Sequence, residues 1–285
     1  MGLFNKKKEP KQPKYLTSRL NTQVINYRVY YFSKTEAILY YGGFFLAGGL
    51  IGLVFYMNLF MSNGKPTVAT HISNAVVFLL FGFLAVRFFV PMRRKARLQK
   101  RQSKLVLQFR EMLSSLSTSF SSGENVHNAF QNAYNEVTAQ FGNESLISRE
   151  MYLIISGVNN GFTIGEMLDD FALRSNAEDI VNFVNVFNTC YHTGGDMKAV
   201  IGNTYDLIGE KISITEEIST KLTSNKMQQT VMSIMPIVII AFLRFSSSSF
   251  AANFASPLGV LMMTIAVGIF AGSYAYGKHI IDIKG

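Results

Sequence analysis

The sequence predicts an all-α integral membrane protein, with four transmembrane helices and a cytoplasmic antiparallel bundle of about six helices. Three observations carry this. Hydrophobic residues make up 48 % of the 285 positions and charged residues only 16 %, against about 25 % charge in an ordinary soluble domain. The apolar excess is gathered into four blocks, two near each end of the chain. Between them lies a segment whose apolar residues recur at three and four, the period of a helix. Strand alternation is nowhere sustained.

Residues 1–36 are read as a basic cytoplasmic N-terminal segment. Residues 37–90 form the first transmembrane hairpin: Ala37–Gly64 carries no Lys, Arg, Asp or Glu, and Pro66–Val86 is also free of them. Each is long enough for a hydrocarbon core of about 30 Å. The first block is too long and too late in the chain for a cleaved signal peptide. Residues 227–277 form the second hairpin, from Met227–Leu243 and Pro257–Gly277, and residues 278–285 are a short cytoplasmic tail. Gly48-xxx-Gly52 and Gly268-xxx-Gly272 are candidate packing pairs, since glycine lets helix backbones approach closely in lipid. Pro236 predicts a kink in the third span.

Charge orients the spans. Lys6, Lys7, Lys8, Lys11, Lys14, Arg19, Arg28 and Lys34 precede the first, and Arg93, Arg94, Lys95, Arg97, Lys100, Arg101 and Lys104 follow the second. The two connecting loops hold only Lys65 between them. The positive-inside rule therefore places both termini and the middle segment in the cytoplasm. Arg244, near the outer end of the third span, is expected to snorkel, as is Arg87 near the inner end of the second.

The middle segment, 91–226, is a helical domain of opposite charge. From Leu105 to Lys226 there are 15 acids and 7 bases, a balance of −8, so the rest of the chain carries +17 of a total of +9. Nucleic acid is excluded as a ligand of the folded part, and the positive charge faces membrane lipid. Apolar stripes run through Leu105–Phe120, Val126–Val137, Ile180–Tyr191 and Met197–Leu222. Breaks fall at Gly123, Gly142, Gly161, Ser175-Asn176 and Gly194-Gly195, with Asn125, Thr163 and Asp196 as helix caps.

Catalytic motifs are missing: no G-x-x-x-x-G-K-[ST], no G-x-S-x-G and no H-E-x-x-H. Cys190 and His192 could be half of a thiol or zinc site, but Cys190 falls on an apolar stripe and reads as core. No cofactor is expected, and no enzyme. The paired acids Asp169-Asp170, Glu178-Asp179 and Glu216-Glu217 read as a solvated face, a docking surface for a basic partner, or a weak divalent-cation site.

Three stretches carry a resemblance: Leu105–Phe130, Gly161–Ser175, and Asp179–Ile218 with its G-G-D-M turn, leading through Lys226-Met227 to Pro236. With two spans before and two after, they resemble the bacterial type II secretion F-domain family, and within it the platform proteins of Tad/Flp pili. That resemblance implies a non-enzymatic platform in the bacterial inner membrane. Its implied partners are a cytoplasmic secretion ATPase, pilin or pseudopilin subunits, and a second F-domain protein or another copy of itself. Glu124, Glu166, Asp169, Asp170, Gly194, Gly195 and Asp196 are the candidate docking residues. The alternative is a small transporter or channel with a regulatory cytoplasmic domain, which would want ionisable residues within the spans.

Overall fold

The structure, a computed structural model, describes residues 12–62, 65–246 and 253–281. Two short strands, β1 (Tyr15–Thr17) and β2 (Gln23–Ile25), pair antiparallel with Tyr15 opposite Ile25. Then come α1 (Lys34–Tyr56), a two-stranded turn of β3 (Met61–Ser62) and β4 (Lys65–Pro66), and α2 (Val68–Ser121). Four shorter helices follow: α3 (Val126–Phe141), α4 (Leu146–Asn159), α5 (Ile164–Ser175) and α6 (Glu178–Thr193). The chain closes with α7 (Met197–Ser246) and α8 (Pro257–Ile281). The all-α class holds, and α2 and α7 run unbroken through Pro91 and Pro236.

The chain divides into two compact units. One joins the N-terminal segment up to Tyr31 with Arg94–Ser213; the other joins Phe32–Arg93 with the chain from Ile214 onward. In the first unit the helix ends fall on the breaks that the sequence predicts. Gly123, Gly142, Gly161 and Gly194 all take positive φ, between 70° and 93°, and Asn176 turns the chain between α5 and α6 at φ 53°. Local chemistry sets the starts. The Asn125, Thr163 and Asp196 side chains accept from the backbone N–H groups of Asn128, Glu166 and Ala199, removing donors that a helix start otherwise leaves unpaired.

Short connections make successive helices of this bundle antiparallel. Gly202 of α7 lies over Ser117 of α2, and Gly209 over Arg110, so the first and last helices also run in opposite directions. The stripes meet in one core, where Leu105, Phe109, Met112, Leu113 and Leu116 from α2 are fully buried. Phe109 stacks edge-on against Phe183 of α6 at 5.4 Å, and Phe130 of α3 against Phe187 of α6 at 5.8 Å. Cys190 is buried at the end of the α6 stripe.

The second unit has the opposite surface. Among the described residues four helices are long and apolar enough to cross a membrane: α1, the first part of α2, the latter part of α7, and α8. Ile38, Phe83, Phe88, Ile239 and Ile269 stand exposed along them. Apolar surface on this extent is unfavourable in water and is what lipid-facing helices present.

Candidate functional site

The up-and-down path of the bundle collects three turns, at Gly123, Gly161 and Gly194, at one end, opposite the end where α2 brings in Arg94. Three of the candidate acids stand at this end. Asp196 is exposed and caps α7, accepting from Ala199 N–H at 3.0 Å. Glu166 closes a capping box with Thr163 and meets Arg19 at 3.4 Å. The bonds from the Thr163 N–H and hydroxyl, helped by Arg19, hold its carboxyl below the usual range. Glu124 accepts from Asn132 Nδ2 at 2.6 Å. Gly194 sits in the left-handed region as the cap of α6, and a Cβ on Gly195 would lie 2.8 Å from Cys190 Sγ.

The other two acids lie further along α5 and point to packing partners. Asp169 accepts from Asn188 Nδ2 of α6 at 2.9 Å. Asp170 accepts from Arg174 Nε at 2.9 Å. Arg174 is the centre of a buried network: its two terminal nitrogens grip Glu150 at 2.9 and 2.7 Å, a bidentate pair. The Tyr27 hydroxyl donates to the same carboxylate at 2.8 Å, and the Tyr27 N–H donates to the Arg174 carbonyl at 3.1 Å. Burial alone would lower Arg174, yet Glu150 and Asp170 raise it above its ordinary value and keep it charged. Burial, followed by the Glu150 charge, pushes the Tyr27 phenol well above its own.

This network shows that residues 12–31 are part of the folded unit, which their reading as a basic segment did not foresee. Tyr27 is fully buried in the core, and the β1–β2 hairpin carries Arg19 to Glu166. The one signal in the sequence was Glu150 itself, three and four residues from the apolar Ile147 and Ile154 on α4. Among the described residues no group of three or more His, Cys, Asp or Glu is placed to hold a metal ion. His192 is exposed beyond buried Cys190, and Asp179 is paired with Lys211 at 2.9 Å.

In the membrane unit Arg244 corrects the snorkelling expectation. It is buried, and its guanidinium donates to the Val54 carbonyl at 2.7 Å and to the Met57 carbonyl. These acceptors lie at the C-terminus of α1, whose last carbonyls lack helical partners and carry the negative end of the dipole. Arg87 is exposed. Gly48 and Gly52 pack α1 on α2: a Cβ on Gly48 would lie 2.8 Å from the Phe81 carbonyl, and one on Gly52 2.7 Å from Phe81 Cβ. Gly268 and Gly272 have nothing within 4 Å.

The features together define a multi-pass membrane protein in which a charged, up-and-down helical bundle is built on the same helices that span the bilayer. Residues 112–245 match the family described as Type II secretion system (T2SS), protein F. The family is one of secretion- and pilus-type inner-membrane proteins. No curated protein and no solved structure matches the chain.

Proposed function

We propose that the protein is the inner-membrane platform of a Tad-like pilus or type II secretion-like assembly machine. In this reading it gathers pilin or pseudopilin subunits in the bilayer and couples them to a cytoplasmic secretion ATPase. The family match is the observation that carries it. Two further features support the reading. The chain has no phosphate-binding loop of its own, so work must come from a partner. Helices α2 and α7, of 54 and 50 residues, each belong both to the core of the bundle and to a membrane-length apolar run. The bundle and both termini lie on the cytoplasmic side, following the Lys/Arg asymmetry of the flanks. A channel is less well supported, because the Arg244 guanidinium is taken up by α1 carbonyls.

The ATPase meets the bundle end that carries Glu124, Glu166 and Asp196. The triple variant Glu124→Gln, Glu166→Gln, Asp196→Asn removes three charges while keeping each cap and hydrogen bond possible. Co-purification of a co-expressed secretion ATPase should fall about tenfold, since exposed charge pairings are individually weak. The amount of inserted protein should stay the same. Undiminished co-purification would remove this end from the interface; no association with wild type would count against the platform reading itself.

A further inference from the structure

A second charged feature lies at the opposite end of the bundle. Arg97, Lys100, Arg101 and Lys104 of α2 line a pocket of about 230 Å³, closed by Tyr30 and by Ser145 at the start of α4. Four cations from two turns of one helix therefore face the N-terminus of a 14-residue helix, whose dipole adds to the positive potential. Glu144, the single acid in the lining, is ion-paired with Arg149.

Arg101 is held as a fixed wall of the pocket. Its guanidinium lies over the rings of Tyr27 and Tyr30 at 5.5 and 5.4 Å, and it donates to the carbonyls of Asn26 and Val29. Its buried Nε has no hydrogen-bond partner among the described residues. Burial lowers its pKa from the ordinary value, the sign of a cation that lacks an anion. Lys100 and Lys104 are exposed, and among the described residues no ion pair engages them.

The pocket has the size and charge for a phosphate group, and its position along α2 identifies the source. Arg97 follows Val90, the end of the apolar run, by seven residues of unbroken helix, roughly 10 Å along its axis. That is the depth at which lipid headgroups meet a membrane helix, and basic pockets there take anionic headgroups. We propose that this pocket is a binding site for the headgroup phosphate of an anionic phospholipid. The site is independent of the platform reading, and it goes beyond general attraction of basic flanks because Arg101 and α4 give it a fixed geometry.

Native mass spectrometry of the full chain in neutral detergent tests it, with phosphatidylglycerol, phosphatidylcholine and inorganic phosphate as probes. The first phosphatidylglycerol should bind one per chain and about tenfold more tightly than phosphatidylcholine, with inorganic phosphate a weak competitor. The double variant Lys100→Gln, Lys104→Gln should remove most of that preference, since both side chains are exposed and the fold does not need them. The double variant Arg93→Gln, Lys95→Gln removes the same charge from the same helix outside the pocket and should change it less than twofold. Equal losses in the two variants, or no preference in the wild type, would overturn the site in favour of a diffuse basic flank. Inorganic phosphate bound as tightly as the lipid would overturn the lipid assignment.

Discussion

Glu150 is the residue on which the bundle's interior depends most. A carboxylate this buried survives only because Arg174 answers its charge through two bonds and Tyr27 fills a further lone pair. Replacement of both charges by apolar groups could be neutral, but removal of one strands the other. Glu150→Gln should therefore cost about 3–5 kcal/mol of stability, read as a fall in the unfolding midpoint of the detergent-solubilised protein. Tyr27 adds a pH dependence with a definite sign. Its native pKa lies above the unfolded value near 10, so its contribution is complete below about pH 10 and is lost as pH rises toward the native value. Tyr27→Phe should cost about 1.5–3 kcal/mol at neutral pH, the worth of a hydrogen bond to a charged group. It should also flatten the loss of thermal stability above about pH 10, and an unchanged alkaline profile would show that Tyr27 is not its source.

Helix boundaries were legible because their causes are local. Glycine at positive φ ends α2, α3, α4 and α6, and Asn, Thr or Asp immediately before the next apolar stripe begins α3, α5 and α7. What the helices do to one another was less legible, as the two glycine pairs show. Gly48-xxx-Gly52 and Gly268-xxx-Gly272 read alike in the sequence. In the structure the first pair lies against Phe81 and Ala85 of α2, beside the edge-on rings of Phe45 and Phe78, while the second faces open space. Gly48→Ala places a methyl group against backbone that cannot rotate away, and should destabilise the α1–α2 hairpin by about 1–3 kcal/mol. Gly268→Ala should be neutral or slightly stabilising in the isolated chain, because alanine is the better helix former. Equal effects on thermal stability would refute the difference in packing. A loss of self-association in Gly268→Ala alone would identify α8 as the face that meets another copy.

Across the chain, what stayed hidden is what distance in sequence hides. Tyr27 and Glu150 are 123 residues apart, and Arg244 and Val54 are 190 apart; no window of sequence contains either pair. The three-residue strands that carry Tyr27 to its site are too short to show alternation. Net charge behaves in the opposite way, since it needs only counting. Its partition into −8 over Leu105–Lys226 and +17 elsewhere carries the proposed orientation, with the bundle inside and the α1–α2 connection outside. The single Cys190 makes this testable, because it is buried and a Cys190→Ser background removes the only native thiol. In that background Asn58→Cys, just after α1, should react with a membrane-impermeant maleimide applied to intact cells. Glu124→Cys, at the turn before α3, should react only after the membrane is opened. Arg244 makes the same outcome physically coherent: its guanidinium and the α1 C-terminus neutralise one another at the end of the spans that the charge rule places outside. Labelling of Glu124→Cys in intact cells would reverse the orientation, and with it the side from which any ATPase could act.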